Sequence, residues 1–257
     1  MTTTPFAFPN ARGETLAGRL ETPDGPARAV AIFAHCFTCS KESAAAVKVS
    51  RGLAARGWAV LRFDFAGLGA SAGEFADTNF SSNVEDIAAA AAQLRSQGMA
   101  PAALIGHSLG GAAVLAAGAL VPDVRAIACI GAPSAVEHVT HNFAAALPAI
   151  EGDGEAEVTL GGKRYTIRRQ LLEDLRLHDI EARVADLKRA LLVLHAPRDE
   201  VVGIEHATRI FVAAKHPKSF VSLDTADHYL ARAADAEYAA GVIAAWAERY
   251  IAPGAAA

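Results

Sequence analysis

The sequence is poor in cysteine, in charge of one sign and in long apolar runs, and each shortage excludes a class of protein. Three cysteines among 257 residues are too few for a disulfide framework and fit a reducing compartment. With 24 basic and 28 acidic residues, the net charge of −4 gives no reason to expect nucleic acid or an anionic membrane as a partner. The longest apolar runs, such as Ala112–Val121, reach about half of the roughly 20 residues that a membrane-spanning helix needs.

The N-terminal segment, MTTTPFAFPN, also lacks the basic and apolar regions of a signal peptide. We therefore expect a soluble, cytoplasmic protein that is a monomer or a homodimer. The length suits one large domain, and 52% hydrophobic residues can form a sizeable core. We predict a single domain over residues 1–257, with residues 134–188 inserted within it.

Short apolar runs alternate with segments of helical composition along most of the chain. A probable edge strand covers Gly13–Thr22, and buried strands are predicted over Val30–His35 and Val60–Phe65, with a helix over Lys41–Arg56 between them. A second helix is predicted over Ser81–Gln97, with Ser82 and Glu85 spaced as a capping box. Later strands are predicted over Ala102–Gly106, Ala126–Ile130, Leu191–His195 and Phe220–Leu223, and later helices over Gly110–Leu120, Gly203–Ala214 and Ala231–Tyr250.

This alternation predicts an α/β fold with a mostly parallel sheet covered by helices on both faces. The rhythm breaks between Ser134 and Lys188, a span too long for a simple connection. Within it, β-rich runs over Glu157–Leu160 and Lys163–Ile167 flank a Gly-Gly pair and predict a hairpin. We interpret the insertion as a small cap over the carboxyl edge of the sheet, where open α/β sheets bind ligands. The alternative is a decorated surface loop.

The segment Gly106-His107-Ser108-Leu109-Gly110 matches G-x-S-x-G between a predicted strand and a predicted helix. In that context the serine occupies a tight turn with its hydroxyl projecting above the sheet, and the glycines allow strand and helix to approach closely. The pattern predicts that Ser108 is a nucleophile.

A serine nucleophile needs a base, and the base needs an acid to orient it. Asp199 follows the predicted strand that ends at His195, and His228 follows the last predicted strand. The chain order Ser108, Asp199, His228 is the order of this type of triad. Asp224 and Asp227 remain alternative acids, Asp199 could instead cap a helix, and His228 could be a surface histidine.

An oxyanion hole needs two backbone N–H groups. One is expected from Leu109, which follows the nucleophile, and the other from the loop after the first buried strand. Phe37 is the candidate in that loop, with the N–H groups of Cys36 and Thr38 as alternatives. We also expect Phe37 and His107 to contact substrate.

Other groups of residues carry weaker signals. Cys36-Phe37-Thr38-Cys39 is a C-x-x-C that fits structural cysteines, a redox-sensitive pair or, least well, a metal site, since no second cysteine pair accompanies it. Asp64 and Ser71 are interpreted as residues that fix a loop. No phosphate loop or dinucleotide fingerprint occurs, so we expect no cofactor and no metal.

Several stretches together resemble the bacterial α/β-hydrolase family, and especially its esterase-like branch that is often fused to an OsmC-like peroxide-reductase domain. They are HCFTCSKES, VLRFDFAGLGASAGEF, NFSSNVEDI, LIGHSLGGAAVL and HPKSFVSLDTADH. The loop and the predicted hairpin-bearing cap are also similar to those of cinnamoyl and feruloyl esterases. The resemblance implies the α/β-hydrolase fold, with an eight-stranded sheet, and acyl transfer through Ser108, Asp199 and His228. The chain differs from those esterases in having Cys36 where they have glycine, and because it ends at IAPGAAA we expect no OsmC-like domain to follow.

Together these observations predict a serine hydrolase that cleaves small carboxylic esters through an acyl-enzyme. The same triad also suits a thioesterase, an amidase or a perhydrolase. A thiol-based, redox-responsive protein using the CFTC segment is the alternative from another class. We further expect oxidation of Cys36 to inhibit the enzyme, and cysteine in place of glycine to adopt either an ordinary backbone conformation or a strained one.

Overall fold

The computed structural model describes residues 1–251, which form ten strands and eight α-helices. The strands are β1 (Thr2–Pro9), β2 (Thr15–Thr22), β3 (Ala29–Ala34), β4 (Trp58–Phe63), β5 (Ala103–His107), β6 (Ala126–Ile130), β7 (Glu155–Leu160), β8 (Lys163–Arg168), β9 (Ala190–His195) and β10 (Lys218–Ser222). The helices are α1 (Ala44–Ala54), α2 (Phe80–Ser96), α3 (Leu109–Ala117), α4 (Leu147–Asp153), α5 (Arg169–Leu175), α6 (Ile180–Ala185), α7 (Ile204–Ala213) and α8 (Ala233–Ile251). Short 3₁₀ segments lie at Phe75–Asp77 and Val136–Ala146.

Eight of the strands form one sheet in the order β1-β2-β4-β3-β5-β6-β9-β10. β1, β2 and β4 pair antiparallel, and every pairing from β4 through to β10 is parallel. The predicted eight-stranded, mostly parallel sheet is therefore confirmed. Its parallel order brings the ends of β3, β5, β6 and β9 to one edge, where the loops after these strands meet.

The sheet strands are apolar because helices cover both faces. Every residue of β4, β5, β6 and β9 is buried, which explains why these strands are continuous apolar runs rather than alternating ones. Helices α1 and α8 contribute Val49, Leu53 and Ile243 to the core on one face. On the other face α2 and α7 contribute Ile87 and Ile210.

The N-terminal region differs from the prediction. β1 is the edge strand, and β2, which was predicted to be the edge, lies between β1 and β4. Pro5 and Pro9 argue against a strand in the sequence, but an edge strand tolerates residues that lack an N–H. The capping box of α2 is formed by Asn79 and Ser82, so the predicted Ser82–Glu85 pair is corrected by three residues.

The inserted segment contains the predicted hairpin. β7 and β8 pair antiparallel about Gly161-Gly162, with Leu160 opposite Lys163. The 3₁₀ segment Val136–Ala146, α4 and α5 surround the hairpin, whereas α6 packs against α3 and α7 and helps to cover the sheet. No helix within residues 1–251 is long and apolar enough to cross a membrane.

Candidate active site

The turn between β5 and α3 presents Ser108 in a backbone conformation that side chains rarely adopt, with φ 55° and ψ −125°. The flanking glycines are required by close contacts. A Cβ on Gly106 would lie 2.2 Å from the carbonyl oxygen of Gly110, and a Cβ on Gly110 would lie 2.3 Å from that of His35. The G-x-S-x-G pattern thus allows β5, α3 and the loop after β3 to meet at Ser108.

The neighbouring strand β6 brings the Ser108 turn next to a histidine–aspartate pair. The N–H of Ser108 donates to the carbonyl of Ile130 at 2.9 Å. The next residue, Gly131, has φ 56°, and a Cβ there would lie 3.3 Å from His228 Nδ1 and 3.4 Å from Asp199 Oδ2. Four loops therefore converge at one point, namely those after β5, β6, β9 and β10.

His228 and Asp199 form a buried hydrogen-bonded pair. His228 Nδ1 donates to Asp199 Oδ2 at 2.7 Å, and the N–H groups of Val201 and Val202 donate to Asp199 Oδ1 at 2.9 and 2.8 Å. Burial raises the pKa of the Asp199 carboxyl, but these hydrogen bonds outweigh burial and hold the pKa below its ordinary value. An ionised Asp199 keeps the proton on Nδ1 and leaves Nε2 of His228 able to accept another.

The alternative acids have other roles. Asp227 accepts the N–H of Ala231 at 2.9 Å, and Asp224 lies in a tight turn with φ 38°. Of the three carboxylates considered from the sequence, it is Asp199 that contacts the imidazole of His228. Within residues 1–251, no hydrogen bond joins the Ser108 hydroxyl to His228; such bonds commonly tighten only in the complex with substrate.

The loop after β3 carries the candidate second oxyanion donor. His35 Nδ1 donates to the carbonyl of Cys36 at 2.8 Å, and the N–H of Cys39 donates to the same carbonyl at 3.1 Å. Burial lowers the pKa of His35, so the ring is neutral. A proton on Nδ1 leaves Nε2 to accept the N–H of Phe65 at 3.4 Å, and one tautomer satisfies both contacts.

Cys36 and Cys39 form a disulfide, with 5.2 Å between their Cα atoms. The C-x-x-C segment is therefore bridged, as a structural or a redox-sensitive pair of cysteines can be. Cys36 has an ordinary backbone conformation, and the left-handed position of the loop falls on Thr38, with φ 54°. The third cysteine, Cys129, is a buried free thiol whose pKa burial raises to about 12.

Two further residues fix this loop, as expected for Asp64 and Ser71. The buried Asp64 carboxylate accepts the N–H of Lys41 at 2.6 Å and that of Ala70 at 2.8 Å, and it also forms an ion pair with the Lys41 ammonium. Ser71 bonds the carbonyl of Asp64 and accepts the N–H of Ala17 at 2.9 Å. Lys41, which the sequence analysis did not single out, thereby ties the end of the loop after β3 to the turn after β4.

A narrow cleft lies beside Phe37 and Leu109, and its walls are mainly apolar. The cap contributes Leu171 and Leu175 from α5, while the sheet side contributes three phenylalanines and one leucine: Phe65, Leu68, Phe75 and Phe80. The polar lining side chains are His35, Thr38, Thr78, Asn79 and Asn83. No lysine, arginine, aspartate or glutamate lines this cleft among the described residues.

An aromatic series that the sequence analysis missed links the cap to the loop after β3. The ring of Phe37 lies 5.8 Å from that of Phe75 and 6.2 Å from that of Phe143, and Phe75 lies 4.8 Å from Tyr165 of the hairpin, measured between centroids. Isolated aromatics in an irregular insertion carry no periodic signal, so only the fold reveals this contact.

The structure places His107 away from the cleft lining. It is 1% exposed, and its Nε2 donates to the carbonyl of His228 at 2.7 Å. Burial, followed by the neighbouring His228, lowers the pKa of His107 to about 4. His195 also bonds a loop, with Nε2 at 2.7 Å from the carbonyl of Val202. Both histidines hold the backbone around the pair rather than face the cleft.

Comparison with known proteins places this geometry in a family. The family Hydrolase_4, described as "Serine aminopeptidase, S33", matches residues 25–152. The esterase domain of a Rhodothermus marinus protein is 47% identical to this chain, with a TM-score of 0.80, and the match covers 98% of this chain and 100% of that one. The chain belongs to the α/β-hydrolase family. This α/β hydrolase matches no curated protein.

More distant solved structures share the fold. Est1E from Butyrivibrio proteoclasticus, solved with ferulic acid bound, is 22% identical with a TM-score of 0.78, over 96% of this hydrolase and 100% of that chain. Alpha/beta hydrolase domain-containing protein 10 from mouse is 20% identical with a TM-score of 0.74, over 96% and 99% of the two chains. At these identities the similarity supports the α/β-hydrolase fold alone.

Proposed function

We propose that this α/β hydrolase is a serine esterase that cleaves small, uncharged carboxylic esters. The observation that carries the proposal is the 2.7 Å hydrogen bond from His228 to the ionised Asp199, beside a serine held in the strained turn between β5 and α3. A strained serine next to an oriented imidazole supports nucleophilic catalysis, because strain of this kind persists only where surrounding structure enforces it.

The reaction proceeds through an acyl-enzyme. Ser108 Oγ attacks the ester carbonyl while His228 Nε2 takes its proton, and Asp199 stabilises the imidazolium. The N–H groups of Leu109 and Phe37 bind the oxyanion of the tetrahedral intermediate. His228 then protonates the departing alcohol, and a water molecule activated by the same imidazole hydrolyses the acyl-enzyme.

Leu109 and Phe37 suit the oxyanion role for separate reasons. Leu109 is the first residue of α3, so its N–H has no acceptor within the helix. The N–H of Phe37 makes no hydrogen bond within residues 1–251. The N–H of Cys36 is less suitable, because the carbonyl of its peptide, from His35, faces Gly110 on α3, and a planar trans peptide directs its N–H the opposite way.

The lining of the cleft favours a neutral ester over the α-amino substrate that an aminopeptidase binds. Binding an ammonium group in a narrow apolar cleft needs a carboxylate partner, since an unpaired buried charge is costly. The cleft beside Phe37 and Leu109 offers no acidic side chain among the described residues. Its phenylalanines and leucines instead suit a compact apolar acyl group.

A panel of nitrophenyl esters tests the proposal. Acetyl, butyryl, octanoyl and benzoyl esters would be compared with alanine p-nitroanilide and an acetyl thioester, using wild type and Ser108→Ala. We expect the short or aromatic esters to have the highest kcat/KM and Ser108→Ala to abolish their turnover. Faster cleavage of alanine p-nitroanilide than of every ester would contradict an esterase assignment.

A further inference from the structure

The disulfide between Cys36 and Cys39 spans the turn that presents Phe37. Only Phe37 and Thr38 lie between the two cysteines, and Thr38 has a left-handed φ of 54° that a residue with a side chain resists. The N–H of Cys39 donates to the carbonyl of Cys36 at 3.1 Å and closes the same turn. One disulfide and one hydrogen bond therefore both close this short, strained stretch of backbone.

These closures determine the direction of one N–H group. The carbonyl of Cys36 accepts from both His35 Nδ1 and the N–H of Cys39, so its position is fixed from two sides. Because the peptide is planar and trans, fixing this carbonyl also fixes the N–H of Phe37, which points the opposite way. The disulfide sets the separation of Cys36 and Cys39 and so maintains the second of those two hydrogen bonds.

Stabilisation of the whole fold is a poor explanation for the disulfide between Cys36 and Cys39. The stabilisation that a disulfide supplies through chain entropy grows with the length of the loop that it closes, and this loop is among the shortest possible. Its effect is therefore local. The disulfide constrains the turn residues that line the cleft, because Cys36, Phe37 and Thr38 all contact the cavity next to Leu109.

We propose that Cys36 and Cys39 are positioning residues for the oxyanion donor, and that reduction of their disulfide lowers kcat without much change in KM. This inference rests on the proposed esterase function. It also reverses the expectation that oxidation at Cys36 is inhibitory, because the bridged form is the one in which the turn is closed.

The redox step is ordinary thiol–disulfide exchange with a dithiol. One thiolate of the dithiol attacks the sulfur of Cys39, the less buried partner, and the bond to Cys36 breaks with the electron pair leaving on the Cys36 sulfur. The second thiolate of the reagent then displaces Cys39. The protein gains two electrons and two protons, and the reagent becomes a cyclic disulfide.

The expected decrease of kcat on reduction follows from the role of the disulfide in positioning the oxyanion donor. Complete removal of an oxyanion donor lowers kcat by about 10²- to 10³-fold in serine hydrolysis. Loosening a donor that His35 still holds from one side should cost less, so we expect a decrease of roughly tenfold, with KM changed by less than about twofold, since the oxyanion forms only in the transition state.

The test compares kcat and KM for p-nitrophenyl acetate before and after treatment with dithiothreitol and desalting. Alkylation under denaturing conditions counts the thiols: one before reduction, from Cys129, and three after it. The Cys36→Ser/Cys39→Ser variant should have the low kcat at the outset and no response. Cys129→Ala is the matched control, and it should respond as wild type does.

Three results would overturn the inference. The first is the same kcat for the oxidised protein, with one thiol counted, and the reduced protein, with three. The others are a folded protein whose disulfide the dithiol does not reduce, and a Cys36→Ser/Cys39→Ser variant with the kcat of the oxidised wild type. In each case turnover that depends on Ser108 would persist, so the esterase proposal would stand. Absence of Ser108-dependent turnover in both redox states would instead contradict the esterase proposal and this inference together.

Discussion

At the scale of single residues, the proposed nucleophile Ser108 has a strained backbone. Its φ of 55° is a conformation that glycine adopts freely and that a side chain resists at a cost of about 1–3 kcal/mol. The hydrogen bond from its N–H to Ile130 and the close contacts of Gly106 and Gly110 hold it there. The serine side chain thus occupies a position that stability alone would assign to glycine.

The strain predicts an exchange of stability for function. Ser108→Gly should unfold at a free energy about 1 kcal/mol higher than Ser108→Ala, because alanine keeps the strained Cβ and glycine does not. Urea unfolding of both inactive variants measures the difference. Equal stabilities would show that the turn is not strained.

Ser108 and His228 are expected to act as one unit. Ser108→Ala and His228→Ala should each lower kcat by at least about 10³-fold, and the double variant should be little worse than either, because removing one member already disables the other. Ester hydrolysis by the three variants measures this. A double-variant loss equal to the product of the single losses would contradict the assignment of the pair.

Asp199 should matter through the tautomer of His228. Asp199→Asn should lower kcat by about 10⁴-fold, the size that this change has in serine protease triads, because an amide no longer favours a proton on Nδ1. Asp227→Asn is the matched control and should stay within about twofold. Near-normal activity of Asp199→Asn would show that another carboxylate is the acid of the triad.

At the scale of elements, the inserted segment supplies one wall of the cleft and an aromatic link to the loop after β3. Tyr165 of β8 packs against Phe75, which packs against Phe37. The contact of Tyr165 with Phe75, which lines the cleft, favours a role for the hairpin in acyl preference, whereas the proposed chemical steps belong to loops after the sheet strands.

Tyr165→Ala tests that role. Loss of the ring should let Phe75 move and widen the cleft, so kcat/KM for benzoyl and octanoyl esters should rise severalfold relative to the acetyl ester. Replacing Glu157–Ile167 by a short Gly/Ser loop should enlarge the change. Lys163→Ala, at an exposed position of the same hairpin, is the control. Unchanged ratios in a folded Tyr165→Ala protein would exclude a role in selectivity.

The elements also show what the sequence can and cannot reveal. β5, β6 and β9 were predictable because buried parallel strands are continuous apolar runs, and Ser108 because its motif lies between a strand and a helix. β1 escaped prediction because Pro5 and Pro9 are tolerated only at an edge. The bridge between Cys36 and Cys39, the turned-away ring of His107 and the contact of Phe75 with Tyr165 depend on side-chain positions that spacing does not determine.

At the scale of the whole molecule, the fold buries several neutral histidines. Burial is the main cause that lowers the pKa of His35, His107, His195 and His206. Below about pH 6.5 the unfolded chain binds protons at these positions that the folded chain does not, so the free energy of unfolding falls as the pH is lowered.

The pKa shift of His107 allows the loss of unfolding free energy at low pH to be estimated. Its pKa falls from 6.5 to about 4, so its contribution is complete above pH 6.5 and is lost progressively down to about pH 4. The loss is on the order of 3 kcal/mol. In urea unfolding between pH 7 and 4, His107→Gln should show a shallower decrease of stability than wild type, whereas exposed His141→Gln should not. Identical pH slopes for His107→Gln and wild type would contradict a neutral, buried ring.

We propose that the turn, the His228–Asp199 pair and the loop after β3 together make Ser108 nucleophilic. A fluorophosphonate, which reacts with activated serines, tests this most directly. We expect one adduct, located on Ser108 by peptide mass spectrometry, with ester turnover lost in proportion to labelling, and no labelling of His228→Ala. A folded protein that hydrolyses esters while Ser108 stays unlabelled would contradict it.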